Sequence, residues 1–416
     1  VALTETQVVA NELERVEPKV PTLFDRESVF YANVEKRPVE KVSARDMRVP
    51  LELRPGGQFG HFDPAGGDLG RGDGPTFDKA LVSTVHLKFA VEWHKKTEWA
   101  TDDSRKSVLN AFRHILAKSM SEFRRQVDSV MMTGGDGVVG VVSAVSNAGG
   151  LDTFTLGTDG FGARLLRFGQ KVNVYLANLS ALRHPSGQEV QISFHDLANK
   201  QIKVPTVTNS AATDKLVLSG LSGANPVSLL GVPYHHSSAS TGNWLGLDRA
   251  TNPEIRANRV NAGGSLSLPY PRLALNKIGD RVGMENGVKL NAWMHPCQVQ
   301  AYEELGQLVT QINKGPKSEG MDLYFDVSQI AGVPIRKSYS WDKTRIDFVL
   351  NDVWGRAEMH PPGFYTEGGR KIFELRGPTG GVAAASIFYI VASFNVFVNN
   401  PAACSYIDGL TVPTGY

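Results

Sequence analysis

One stretch constrains this chain more than any other: TDDSRKSVLNAFRHILAKSMSEFRRQVDSVMM, from Thr101 to Met132, followed by Gly134-Gly135. Apolar residues recur at Val108, Phe112, Ile115, Leu116, Met120, Phe123, Val127, Val130 and Met131. Their gaps of three and four align them on one stripe of an α-helix. Thr101 suits an N-cap, Asp102 and Asp103 suit the positive end of the helix dipole, and the double glycine can end the helix in the left-handed region. With a rise of about 1.5 Å per residue the helix would be roughly 45 Å long, above the usual length in a globular domain. So long a rod with a single stripe must lie across a sheet or against a neighbour. Nothing extends the stripe past Gly134, which argues against a coiled coil. Arg105, Lys118, Arg124 and Arg125 are expected on the open, charged face.

The 416 residues are enough for two or three domains, and 41% hydrophobic with 21% charged residues fits a folded chain. With 42 glycines and 22 prolines, turns and strands should outweigh helices. The net charge of +2 lacks the basic excess of a specific DNA binder. Cys297 and Cys404 are too few and too far apart for a disulfide framework or a zinc site. The beginning, VALTETQVVANELERVEPK, is acidic and amphipathic, unlike a secretory signal, and a start at Val1 suggests a trimmed or matured end. The most apolar segment, Val382–Val398, is short for a membrane helix and contains Ser386, Ser393 and Asn395, so it reads as a buried strand.

Up to about residue 47 only a short helix near Thr4–Arg15 is expected, and Pro18, Pro21 and Pro38 break the remainder into an extended arm. Alternating runs at Met47–Arg54 and Ala80–Trp93 flank PGGQFGHFDPAGGDLGRGDGPTFDK, with eight glycines and three prolines. This reads as a long projecting hairpin, which needs a partner surface to settle on. From about Gly150 to His236, Val172, Val174 and Leu176 alternate, as do Val190, Ile192 and Phe194, pointing to a small inserted β-barrel or sandwich. Beyond Trp244 the chain is mixed: TNPEIRANRVNAGG reads as a loop, Tyr270–Gly283 as a helix, and Pro296 opens a second helix. Short strands follow, long ones lie between Lys371 and Val398, and a polar tail begins at Asn399.

Catalytic constellations are scarce. His235 and His236, adjacent on an expected strand, would point to opposite sides and make no joint metal site. His295-Pro296-Cys297 lacks further ligands at zinc spacing, and no oriented base accompanies the thiol. Phosphate-cradling glycine motifs are absent, and Glu303-Glu304 reads as solvated helix surface. No catalytic, cofactor-binding or metal residues are expected. Projecting elements that bury apolar surface only on assembly mark an obligate oligomer instead.

An extended arm, a glycine-rich two-stranded loop, a long helix ending in glycines, then mixed α/β and a return through long strands resembles the major capsid protein of tailed phages. This is the Hong Kong 97-like shell fold shared with encapsulins and the herpesvirus capsid floor. Leu247-Asp248-Arg249-Ala250-Thr251-Asn252-Pro253, and the Leu-Tyr-Phe-Asp-Val … Gly-Val-Pro-Ile-Arg-Lys … Phe-Val-Leu-Asn series from Leu323 to Asn351, add sequence texture to the likeness. The resemblance implies an α+β fold with an N-arm over 1–47, an extended β-hairpin loop over 48–95 and a peripheral domain over 96–149 with its spine helix at 101–132. An inserted all-β domain would follow over 150–240, an axial domain over 241–351, and peripheral return strands with the C-terminal tail over 352–416.

It further implies hexamers and pentamers of this chain closing an icosahedral shell, built in the host cytoplasm, around weakly and non-specifically contacted double-stranded DNA. Scaffold, portal and decoration or cement proteins are implied partners; a membrane and cofactors are not. Phe59, Phe62, Leu69 and Phe77 would carry the loop's contact with its neighbour. Some relatives form a Lys–Asn isopeptide from this loop. Here Pro55–Phe77 contains no lysine, Lys79 and Lys88 lie further along, and a cross-link is not expected. An encapsulin-type compartment is the alternative of the same fold; a hydrolase with an inserted β domain is the alternative of another class.

Overall fold

The computed structural model describes residues 29–35, 39–41, 46–61, 70–96, 111–157, 160–183, 189–221, 223–283, 289–313, 328–376 and 382–413, with the side chains of 29, 35, 39–41, 111–117, 306–313, 376 and 382 outside that description. The chain divides into two compact units. Unit 1 comprises Val1–Lys36, Val85–Leu229 and Glu358–Phe394; unit 2 comprises Arg37–Thr84, Leu230–Ala357 and Asn395–Tyr416.

In unit 1 the long helix is described over Ala111–Val130. Its start, with Val108 and Arg105, lies outside the described residues. Phe123, Val127, Val130 and Met131 are buried. The chain leaves the helix through Gly135 and Gly137, at φ 90° and 71°. The closest atom a Cβ on Gly137 would meet is the movable end of Leu221, 2.6 Å away at Cδ1, so it is the positive φ that makes glycine the favoured residue at this turn. The expected arm is in part a helix: Val29–Glu35 buries Phe30, Tyr31 and Val34, and the Tyr31 backbone N–H donates to Asp128 of the long helix at 2.8 Å. Seven residues carry too little periodicity to separate a helix from a coil in sequence. The apolar segment Val382–Val398 is one 17-residue strand, antiparallel to Val85–His94 from Ala385↔His94 to Phe394↔Val85.

A seven-stranded sheet follows the helix. It starts at Val138–Ala148, earlier than the expected boundary near 150, because the first strand continues almost directly from the glycine turn. Its outer strands, Val190–Gln191 and Phe194–Asp196, are consecutive in sequence, so the chain steps from one edge to the other and the sheet curls into a barrel. Phe154, Val172, Val174, Ile192, Ile202 and Leu216 fill it. The expected alternation fails at Phe194, which is 42% exposed beneath Lys203 Nζ at 5.1 Å, because this step between edges interrupts the strand.

Unit 2 is built on a six-stranded sheet. Asn258–Gly264 runs parallel to Ser405–Leu410, which pairs antiparallel with Ile346–Leu350; Leu290–Met294 and Val333–Lys337 continue the sheet. Two expectations are overturned here. The segment TNPEIRANRVNAGG is not a loop but contains a short 3-10 turn at Pro253–Ile255 and the strand Asn258–Gly264. The polar C-terminal tail is not peripheral: Ser405–Leu410 is an interior strand of this sheet with Ser405, Tyr406 and Ile407 buried. Tyr406 and Asp408 find partners inside the fold, Tyr406 Oη bonding the Ser238 hydroxyl at 2.8 Å and Asp408 pairing with Arg259, so composition hides this strand.

Candidate assembly surfaces and the buried histidine network

The projecting hairpin belongs to unit 2. Asp46–Arg54 pairs with Thr76–Ser83, and the return strand ends at Ser83 instead of running on to Trp93. Past Thr84 the chain enters the separate strand Val85–His94. The base of the hairpin is anchored: Ala80 and Val82, with Met47, Val49 and Leu51, join Trp244, Leu247 and Ile255 in one apolar cluster. The Leu81 N–H donates to the Leu245 carbonyl at 2.7 Å, and Arg54 Nε donates to Glu254 at 2.8 Å. Towards the tip this support ends. Phe59 is fully exposed at 102% and Phe77 is 65% exposed; Phe62 and Leu69 lie outside the described residues.

Of the residues expected on the helix stripe, Phe123, Val127 and Met131 are buried and Met120 is half-buried. The side chains of Phe112, Ile115 and Leu116, and all of Val108, are outside the described residues. Arg125, expected on the open face, is instead buried, because Glu122, one turn earlier, forms an ion pair with it and with Arg167 of the barrel segment.

Among the described residues, no group of three or more His, Cys, Asp or Glu could hold a metal ion. The adjacent histidines are not on a strand. They sit at the end of the short helix Val232–His235, both fully buried in unit 2. His235 Nε2 donates to the Val396 carbonyl at 3.1 Å while Nδ1 accepts from Trp244 Nε1 at 3.2 Å, which fixes a neutral tautomer. Burial, then the neighbouring charge on His236, lowers the His235 pKa to about 3. His236 Nδ1 donates to Asp347 Oδ1 at 3.0 Å. Asp347 also accepts from Trp341 Nε1 at 3.1 Å and from Arg345 Nε and Nη2, the closest at 2.7 Å. Arg345 lies 4.1 Å from the centre of the Tyr406 ring. Burial opposes charge on His236, but Cys404 and Asp347 outweigh it and raise its pKa to about 9. Burial alone would raise Asp347; Arg345 and then His236 reverse this and hold it below the ordinary carboxylate value.

The pH dependence follows in sign. His236 has a folded pKa above 6.5, so its contribution is complete below 6.5 and is lost as pH rises through about 9. Asp347 has a folded pKa below 3.8, so its contribution is complete above 3.8 and is lost as pH falls below that. Urea midpoints between about pH 6 and about pH 10 should therefore fall in the parent, and fall less steeply in H236N. Equal alkaline slopes in the two proteins would refute a charged His236.

Cys297 and Cys404 are free and buried. The Cys297 N–H donates to His295 Nδ1 at 3.1 Å, so that histidine caps the start of the helix Pro296–Asn313. The Leu247–Pro253 motif is a turn: the Ala250 N–H and Thr251 hydroxyl donate to the Asp248 carboxylate at 3.0 and 2.9 Å. These two bonds, that from Ala250 first, lower the Asp248 pKa.

No protein-family model matches the chain, and no curated protein is similar in sequence. Solved structures are similar in fold. A chain of the cyanophage A-1(L) capsid matches with a TM-score of 0.58 and 12% identity, covering 98% of this chain and 100% of that one. A capsid chain of a native GTA particle matches with a TM-score of 0.50 and 12% identity, covering 99% and 100%. At this identity the likeness establishes the fold: an α+β, sheet-rich capsid fold extending over essentially the whole chain.

Proposed function

We propose that this chain is the major capsid protein of a tailed double-stranded DNA phage, assembling as hexamers and pentamers into an icosahedral shell around the packaged genome. The observation that carries the reading is the match in fold to a phage capsid chain over 98% of this chain and all of the other. The projecting hairpin supports it: an anchored base with Phe59 and Phe77 left open to solvent suits a loop that completes its packing on an adjacent subunit. In this reading the fold is Hong Kong 97-like, the long helix is the spine of the peripheral domain, and the six-stranded sheet is the core of the axial domain. The barrel is an added module. The protein works by closure rather than turnover, in the virion, with scaffold, portal and cement proteins as partners. Its net charge of +2 suits a wall that contacts DNA weakly, since many phosphate contacts would impose a steep salt dependence on packaging. Stability comes from overlapping apolar surfaces without loop cross-links.

The double variant F59D/F77D tests this directly. Both side chains are exposed in the subunit, so thermal unfolding of the unassembled protein should stay near that of the parent. Each lost anchor should cost about 2 kcal/mol or more at every subunit contact, enough to prevent particles from forming. Particles of parental size and yield from a verified F59D/F77D preparation would contradict the assignment of this loop.

A further inference from the structure

Unit 1 contains a cleft of about 700 Å³ between the long helix, the barrel and the strands Val85–His94 and Val382–Val398. Phe123 and Val127 of the helix, Leu218 of the barrel and Val391 of the long strand give it an apolar floor. Its rim carries His86, Lys88, Lys171 and His360, and no Asp or Glu lines it among the described residues. His86 Nδ1 shares a 2.6 Å hydrogen bond with the Ser393 hydroxyl. Lys88 and Lys171 are exposed and have no ion-pair partner among the described residues. Some cations at this protein's surface are paired, as Arg54 is with Glu254 and Arg259 with Asp408, and others, such as Lys79 and Lys200, are not paired among the described residues; what distinguishes Lys88 and Lys171 is a shared cleft whose described lining holds no carboxylate. An ordinary surface intersperses both signs. An apolar floor beneath a rim of one sign is complementary to a ligand that is apolar on one side and anionic on the other.

We propose that this cleft docks a short peptide segment of a second protein, in which carboxylates flank leucine-like side chains. The volume suits a short run of side chains, not a folded domain. A phosphodiester strand would satisfy the lysines but leave the aliphatic floor of Leu218 and Val391 unfilled. The acidic side chains meet Lys88 and Lys171, and the aliphatic ones cover Leu218 and Val391. The barrel supplies Lys171 and Leu218, so the inserted module would build part of a partner site. This goes beyond shell assembly, and peptide binding is scored separately from particle formation.

The test is a fluorescence-anisotropy titration of the full-length protein with a labelled peptide of leucines and glutamates, beside the same peptide with every glutamate replaced by glutamine. The glutamate peptide should bind more tightly, lose affinity as salt rises, and bind about ten-fold or more weakly to K88E/K171E. Both lysines are exposed, so the variant should keep the parental melting curve; if it does not, K88A/K171A gives the same reading with smaller amplitude. Equal affinity for both peptides, or unchanged affinity in the lysine variants, would overturn the proposal. So would binding seen only after residues 1–28 are removed, which would make the chain's own acidic beginning the occupant. Failure of the peptide alongside binding of oleate would assign the cleft to a lipid and equally overturn it.

Discussion

Replacing Asp347 with alanine should destabilise unit 2 by about 3–5 kcal/mol, enough to remove most soluble protein. The carboxylate is 1% exposed and accepts from His236, Trp341 and Arg345. Its loss leaves a guanidinium whose side chain is 13% exposed, together with a buried imidazole, and neither regains water. The cost is therefore that of stranded charges and donors, which exceeds the net value of the hydrogen bonds themselves. Asp248 supplies the contrast. It also accepts several hydrogen bonds, but in an exposed turn where water replaces them, so Asp248→Ala should cost far less. Soluble yield and urea midpoints of the two variants measure the difference. A D347A protein as stable as D248A would show that the network contributes little.

Phe123→Asp should have an effect at least as large, in unit 1. Phe123 is 3% exposed on the inner face of the long helix. Truncating a buried phenylalanine to alanine already costs about 3–5 kcal/mol, and aspartate adds the burial of an unpartnered carboxylate. Ser121, two residues earlier on the exposed side, is the control: Ser121→Asp should change stability by about 0.5 kcal/mol or less. Loss of soluble F123D alongside normal S121D is the expected pattern. Equal behaviour of the two would mean that the helix is not held by this face.

What could be read in sequence followed from periodicity, and what could not depended on partners remote along the chain. Phe123 and Val127 repeat with helical spacing, and Val172 and Val174 alternate, so the helix and the barrel strands follow from local pattern. The hairpin follows from two alternating runs around a glycine-rich stretch, although its return strand is shorter than the alternation implies: nothing local marks Thr84 as the point where the chain changes sheets. Ser405–Leu410 escaped because an interior strand carrying Ser405 and Tyr406 looks like a polar tail until its pairing with Asn258–Gly264 is known. His236 and Asp347 lie 111 positions apart, and no spacing rule connects them. Adjacent histidines on a strand would diverge; here the short helix ending at His235 buries both, one held neutral and the other charged. Arg125 shows the same limit on a helix, where a cation counted as surface is turned inward by Glu122.

Electron microscopy of the purified, assembled protein in negative stain tests the central claim most directly. A shell-forming subunit with this fold should give closed, uniform particles with clusters of five and six subunits, and the F59D/F77D protein should give none. Parent protein that remains monomeric, or forms small rings of fixed number with a measurable catalytic turnover, would contradict it.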